Sequence, residues 1–210
     1  MTRIQLVTLA ATMVAFAAPE AIAQSKMTVR PESKVTLAGS SNVHDWACNS
    51  STLNATIELD SNYATKPLSS IARPITKVVV NIPVKTLKCG HGKMDDNMYK
   101  ALKADEFPEI RYVLGEYEVN ATETSADKFS ALTTGEITVA GKTITTKIPI
   151  TAIRKEGGSM IGEGTARLLI SDFGIKPPVA MLGTLRTRNE ITVTFNVLLD
   201  KATVVALTER

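Results

Sequence analysis

From Ser33 onward, apolar and polar residues alternate along most of the chain. Near its end, Ile191, Val193, Phe195, Val197 and Leu199 share one parity, and Thr192, Thr194 and Asn196 take the other. Leu53, Ala55, Ile57 and Leu59 alternate with Asn54, Thr56 and Glu58, and Ile144, Ile148, Ile150 and Ala152 with Thr143, Thr145, Lys147 and Thr151. A period of two sends successive side chains to opposite faces, as in an antiparallel sheet with one face on a core and one in water. Eight such runs are predicted, near 34–41, 51–60, 75–83, 109–119, 129–140, 142–154, 159–171 and 189–200. Ala140-Gly141-Lys142 and Glu156-Gly157-Gly158-Ser159 mark tight turns between them.

One segment departs from this period. Met94, Met98, Ala101 and Leu102 fall at helical spacing, Asp95 and Asp96 suit a helix N-terminus, and Pro108 ends the insertion. The predicted fold class is therefore all-β: eight antiparallel strands with one short helix between 94 and 104. Long strands joined in sequence favour a closed up-and-down barrel over a sandwich, and eight strands leave an interior that side chains fill or that holds one small ligand.

Ahead of the strands the pattern is that of an export signal. Arg3 precedes an apolar run from Ile4 to Ala18, and Ala21-Ile22-Ala23 is a cleavage motif. Residues 1–23 are read as the signal peptide and 24–210 as one domain with its core at about 34–200. The apolar run is too short for a bilayer-spanning helix, and no later stretch is long enough. A formal net charge of +3, scattered along the chain, lacks the footprint of a nucleic-acid binder.

Chemistry-bearing residues concentrate in two segments, Ser41–Cys48 and Leu87–Tyr99, which hold both cysteines, both histidines and the single tryptophan. Two cysteines in an exported chain read first as one disulfide, Cys48–Cys89. The competing reading is a metal or redox site made of His44, Cys48, Cys89 and His91, a donor set suited to zinc but without a zinc-finger spacing. No nucleophile elbow or phosphate loop is present, and in a strand His44 and Asp45 point to opposite faces, so no enzyme is expected. Trp46 would suit the mouth of a barrel that takes a lipid with a polar head.

The segments GSSNVHDWAC, VVVNIPVKTLKCGHGKMDDNMYKALKADEFPEIRYVL, LTTGEITVAGKTITTKIPI and ISDFGIKPP resemble the YceI-like family of bacterial periplasmic lipid- and polyisoprenoid-binding proteins, from about Lys34 to Leu199. The resemblance implies a lipocalin-like barrel in the periplasm whose interior holds an isoprenoid chain, a quinone or another small amphiphile. By that analogy Met98 and Leu102, with Phe173 and Met181, help close the barrel, while Tyr112 and Phe195 line it. No resident cofactor or metal is implied. A barrel filled with side chains and acting through its surface is the remaining alternative, and a homodimer is one assembly the sequence leaves open.

Overall fold

Alternation becomes a ring of antiparallel strands in the computed structural model, which describes residues 24–180 and 184–200. The expected signal segment and Met181 lie outside the described residues. In chain order the elements are β1 (Gln24–Val29), β2 (Lys34–Ser41), β3 (Asp45–Ser50), β4 (Asn54–Asp60), β5 (Ile75–Pro83), α1 (Gly92–Ala101), β6 (Glu109–Val119), β7 (Lys128–Val139), β8 (Lys142–Arg154), β9 (Met160–Leu169), β10 (Val179–Ala180) and β11 (Leu185–Asp200).

Pairing resolves these pieces into eight positions around a barrel. On one edge of β11, Val29 of β1 lies opposite Leu199 and Lys34 of β2 opposite Asn196, so β1 and β2 are two parts of one interrupted strand. Likewise β3 pairs with β2 and β4 with β1, making a second interrupted strand. The meander then runs β4 to β5, β6, β7, β8 and β9 and returns to β11, with every pairing antiparallel. At the first interruption, fully buried Ser33 stands in for the ladder: its hydroxyl accepts from the Leu198 N–H at 3.0 Å and reaches the Leu198 carbonyl at 3.3 Å.

The expected closed barrel with one short helix is thus the observed architecture. β1 and β3 were not among the expected strands. Ser25 and Ser50 occupy buried positions there, so hydroxyls break the apolar alternation that marks a strand. The helix begins earlier and ends sooner than 94–104, because Lys103 takes a left-handed conformation (φ 51°) that stops it.

The two ends differ. Residues 61–74 fold across one end, where Tyr63 and Leu68 are 2% and 1% exposed and pack with Leu59, Ile75 and Phe129. Arg154 clamps this plug. Its guanidinium donates to the carbonyls of Tyr63, Lys66 and Ala126 and to the Asp127 carboxylate. At the opposite end lie α1, the turn between β2 and β3, and the segment 170–178.

A hollow barrel as the candidate binding site

Inward positions of the strands are apolar, yet they do not meet on the barrel axis. They enclose a cavity of about 1430 Å³, lined by residues such as Val78, Val80, Leu114, Ile150, Val193 and Val197. Typical small-molecule sites occupy roughly 300–1,000 Å³, so the space suits a long ligand.

Three aromatic rings explain why the interior stays open. Trp46 lies over Gly39, Tyr112 over Gly135 and Phe195 over Gly164, each pair contributed by neighbouring strands. A Cβ at any of these glycines would collide with the ring. The rings therefore lie along the wall instead of crossing the lumen. The Tyr112 hydroxyl donates to Thr133 Oγ1 at 3.3 Å, and Thr133 donates onward to the Ile148 carbonyl at 2.8 Å. Burial raises the Tyr112 pKa above the ordinary phenol value, which the Thr133 bond only partly offsets.

Of the residues singled out from sequence, Trp46, Met98, Leu102, Tyr112, Phe173 and Phe195 all line this one cavity. So do His44, Cys48, Cys89 and His91, at the helix end. Cys48 and Cys89 are bonded to each other, which removes both thiolates from the alternative metal set. Among the described residues no group of three or more His, Cys, Asp or Glu side chains is placed to hold a metal ion. Ser41 Oγ lies 3.4 Å from His44 Nδ1, but its hydroxyl accepts from the N–H groups of Val43 and His44 and donates to the His44 carbonyl at 2.8 Å, bonds that fix the turn.

The disulfide sits on a seam. β5 ends at Pro83, and the ring is continued beside β3 by a paired exchange between Asn49 and Lys88, both bonds 2.8 Å. The disulfide closes the same two segments, and Cys89 passes its N–H to the carboxylate of buried Asp95 on α1 at 2.7 Å. Tyr99 of α1 also reaches the carbonyls of Lys85 and Leu87 (2.9 and 2.8 Å) and accepts from Lys88 Nζ. Helix and seam are thereby one unit, with Met98 Sδ 3.8 Å from Cys89 Sγ.

Polar groups gather at this end. Lys93, Asn97 and Lys100 from α1 and Lys176 from the facing segment join the two histidines in the lining. Sequence reading missed all four because it followed apolar periodicity. The seven-residue spacing of Lys93 and Lys100, which returns to one helix face, was the available signal.

Fold and site together define a hollow lipocalin-like barrel, closed at one end and open at a polar rim. The YceI-like domain family matches residues 23–199, and the chain belongs to that family. BcnA of Burkholderia cenocepacia is similar in structure at TM-score 0.63 and 17% identity, over 81% of this chain and 99% of that one. A polyisoprenoid binding domain from Saccharophagus degradans, implicated in plant cell wall breakdown, aligns at TM-score 0.61 and 10% identity over 86% and 99% of the two chains. The YCEI protein of Campylobacter jejuni aligns at 0.55 and 13% over 97% and 99%. No curated protein matches the chain.

Proposed function

We propose that this protein binds an isoprenoid lipid, or a comparable long amphiphile, inside its barrel and carries it through the periplasm. The observation that supports this most is the apolar cavity of about 1430 Å³. Each methylene moved there from water contributes about 0.8 kcal/mol, so a prenyl tail is held without any hydrogen bond. The S. degradans relative, described as a polyisoprenoid binding domain, supports the same ligand class. An open interior does not favour the alternative of a filled barrel acting only through its surface.

Export is supported by the signal-like residues 1–23 and by a disulfide that an oxidising compartment preserves. Among the described residues no helix is long and apolar enough to cross a membrane. A binding role, rather than catalysis, fits a cavity whose wall is mostly apolar and whose lysines and histidines stand at the helix end.

Native mass spectrometry of protein isolated from its own cells, together with organic extraction, tests the reading. A prenyl or acyl species at one per chain is expected. Bare chain, combined with no uptake of fluorescent lipid analogues, would overturn it; the same spectrum shows whether one barrel or two assemble.

A further inference from the structure

We propose that Asn120 is a modification site, the acceptor of an N-linked oligosaccharide at the closed end of the barrel. Three Asn-x-Ser/Thr tripeptides occur in the chain, at Asn49, Asn54 and Asn120. Transfer needs an accessible amide with a hydroxyl two residues on, in a surface loop of an exported protein. The barrel wall withholds two of the three. The Asn49 side chain accepts from Thr36 Oγ1 at 2.7 Å and its backbone is bonded to Lys88 in the seam, while Asn54 sits in β4 opposite Asn81.

Asn120 is placed differently. It follows the end of β6 and opens the loop to β7, and Asn120, Ala121 and Thr122 are all exposed. Its backbone is fixed: the N–H donates to the Ser130 carbonyl at 2.9 Å, and the carbonyl accepts from Thr124 Oγ1 at 2.9 Å. Thr122 Oγ1 donates to Asn120 Oδ1 at 2.8 Å, so the required hydroxyl already lies against the amide. Asn120 Nδ2 has no hydrogen-bond partner among the described residues. Exposed Glu118 stands two residues ahead, a charge missing from Ala47 and Thr52 at the matching positions of the other tripeptides. The loop rests on the plug, where the N–H groups of Leu68 and Ser69 donate to the carbonyls of Ala126 and Ser125. A sugar chain here stands at the far end from the mouth and leaves it open. In the transfer, Asn120 Nδ2 bonds to the anomeric carbon of an oligosaccharide carried on a polyprenyl diphosphate. The bond from that carbon to the phosphate oxygen breaks, the lipid diphosphate leaves, and the amide proton passes to a base on the transferase; nothing is oxidised or reduced. The inference rests on the export proposed above and on no part of the lipid reading.

The experiment is peptide mapping by mass spectrometry of the protein purified from its own cells, with fragmentation that keeps sugars attached. Trypsin releases Tyr112–Lys128, which holds Asn120 alone of the three asparagines. That peptide is expected to carry an oligosaccharide mass on Asn120, and the peptide holding Asn49 and Asn54 none. The modification should be lost in Asn120→Gln and in Thr122→Ala and kept in Thr122→Ser, with circular dichroism confirming that each variant is folded. A bare Asn120 in chains that begin at Gln24 overturns the glycan inference and leaves export standing. Chains that retain residues 1–23 throughout overturn export and the inference with it. Sugar found on Thr122 or Thr124 instead, or still present on Asn120 in Thr122→Ala, also sinks the proposal.

Discussion

Tyr117 serves Ile75 as a strand partner through its side chain: the phenol oxygen accepts from the Ile75 N–H at 3.1 Å and donates to the Ile75 carbonyl at 2.8 Å. The need arises because β5 and β6 pair only from Val79 to Pro83, and the β6 register shifts between Leu114 and Glu116 against β7. Below that point the two strands part, and the ring of Tyr117, edge-on to Phe129 at 5.6 Å, fills the gap. Tyr117→Phe strands both backbone groups and should cost about 1–3 kcal/mol in urea unfolding. An unchanged midpoint would show that water satisfies Ile75 equally well.

Arg154 holds the plug through three carbonyls and one carboxylate, although its side chain is only 14% exposed. Asp127 is largely solvated, so most of the effect comes from the carbonyl bonds. Arg154→Met should cost about 2–3 kcal/mol and speed hydrogen exchange in 61–74 selectively. Uniform acceleration over the whole barrel would argue against a local clamp.

Gly39→Ala should push the Trp46 ring off the wall and toward the lumen, and Gly164→Ala should do the same to Phe195 while also pressing on the Pro149 carbonyl. We expect a loss of about 1–3 kcal/mol from overpacking and weaker retention of long tails than of short ones. Trp46 emission should shift in Gly39→Ala and stay put in Gly164→Ala. Tail-length preference identical to that of the native chain would sever the link between these rings and cavity size.

Alkaline pH should weaken the fold through Tyr112 and Tyr117, whose pKa values burial raises above the ordinary 10.0. The folded state holds these protons more tightly than the unfolded chain does. Their contribution is complete below the unfolded value and is lost as pH rises through the raised folded value. Denaturation midpoints at about pH 8 and pH 11 should differ less in Tyr112→Phe than in the native chain. A native-sized difference in the variant would assign the alkaline loss elsewhere.

Reduction of Cys48–Cys89, which spans 41 residues, should destabilise by about 3–4 kcal/mol in the chain-entropy description. Local exchange should rise first in 84–91 and at the start of α1, where one backbone bridge then carries the seam. Titration of the unfolded, unreduced chain with a thiol reagent should find no free thiol.

Legibility followed burial. Strands such as β8 could be bounded correctly because apolar side chains recur on one face, as Ile144, Ile148, Ile150 and Ala152 do. β3 escaped because its inward positions are Trp46, Cys48 and Ser50, a set whose shared face emerges only when β2 is laid beside it. The cysteine pair was readable from compartment and number. The rim lysines were not, since a lysine facing a cavity and one facing bulk water look alike until the opposite element is in place. Ser33, which bridges two pieces of one strand, carried no signal that a local pattern reports.

The plug at 61–74 makes the chamber a cul-de-sac. A molecule that enters tail first cannot pass through; it must back out by the route it took. If the barrel is the carrier proposed above, loading and unloading would use the same face, so the two could not happen at once and delivery would proceed by turns.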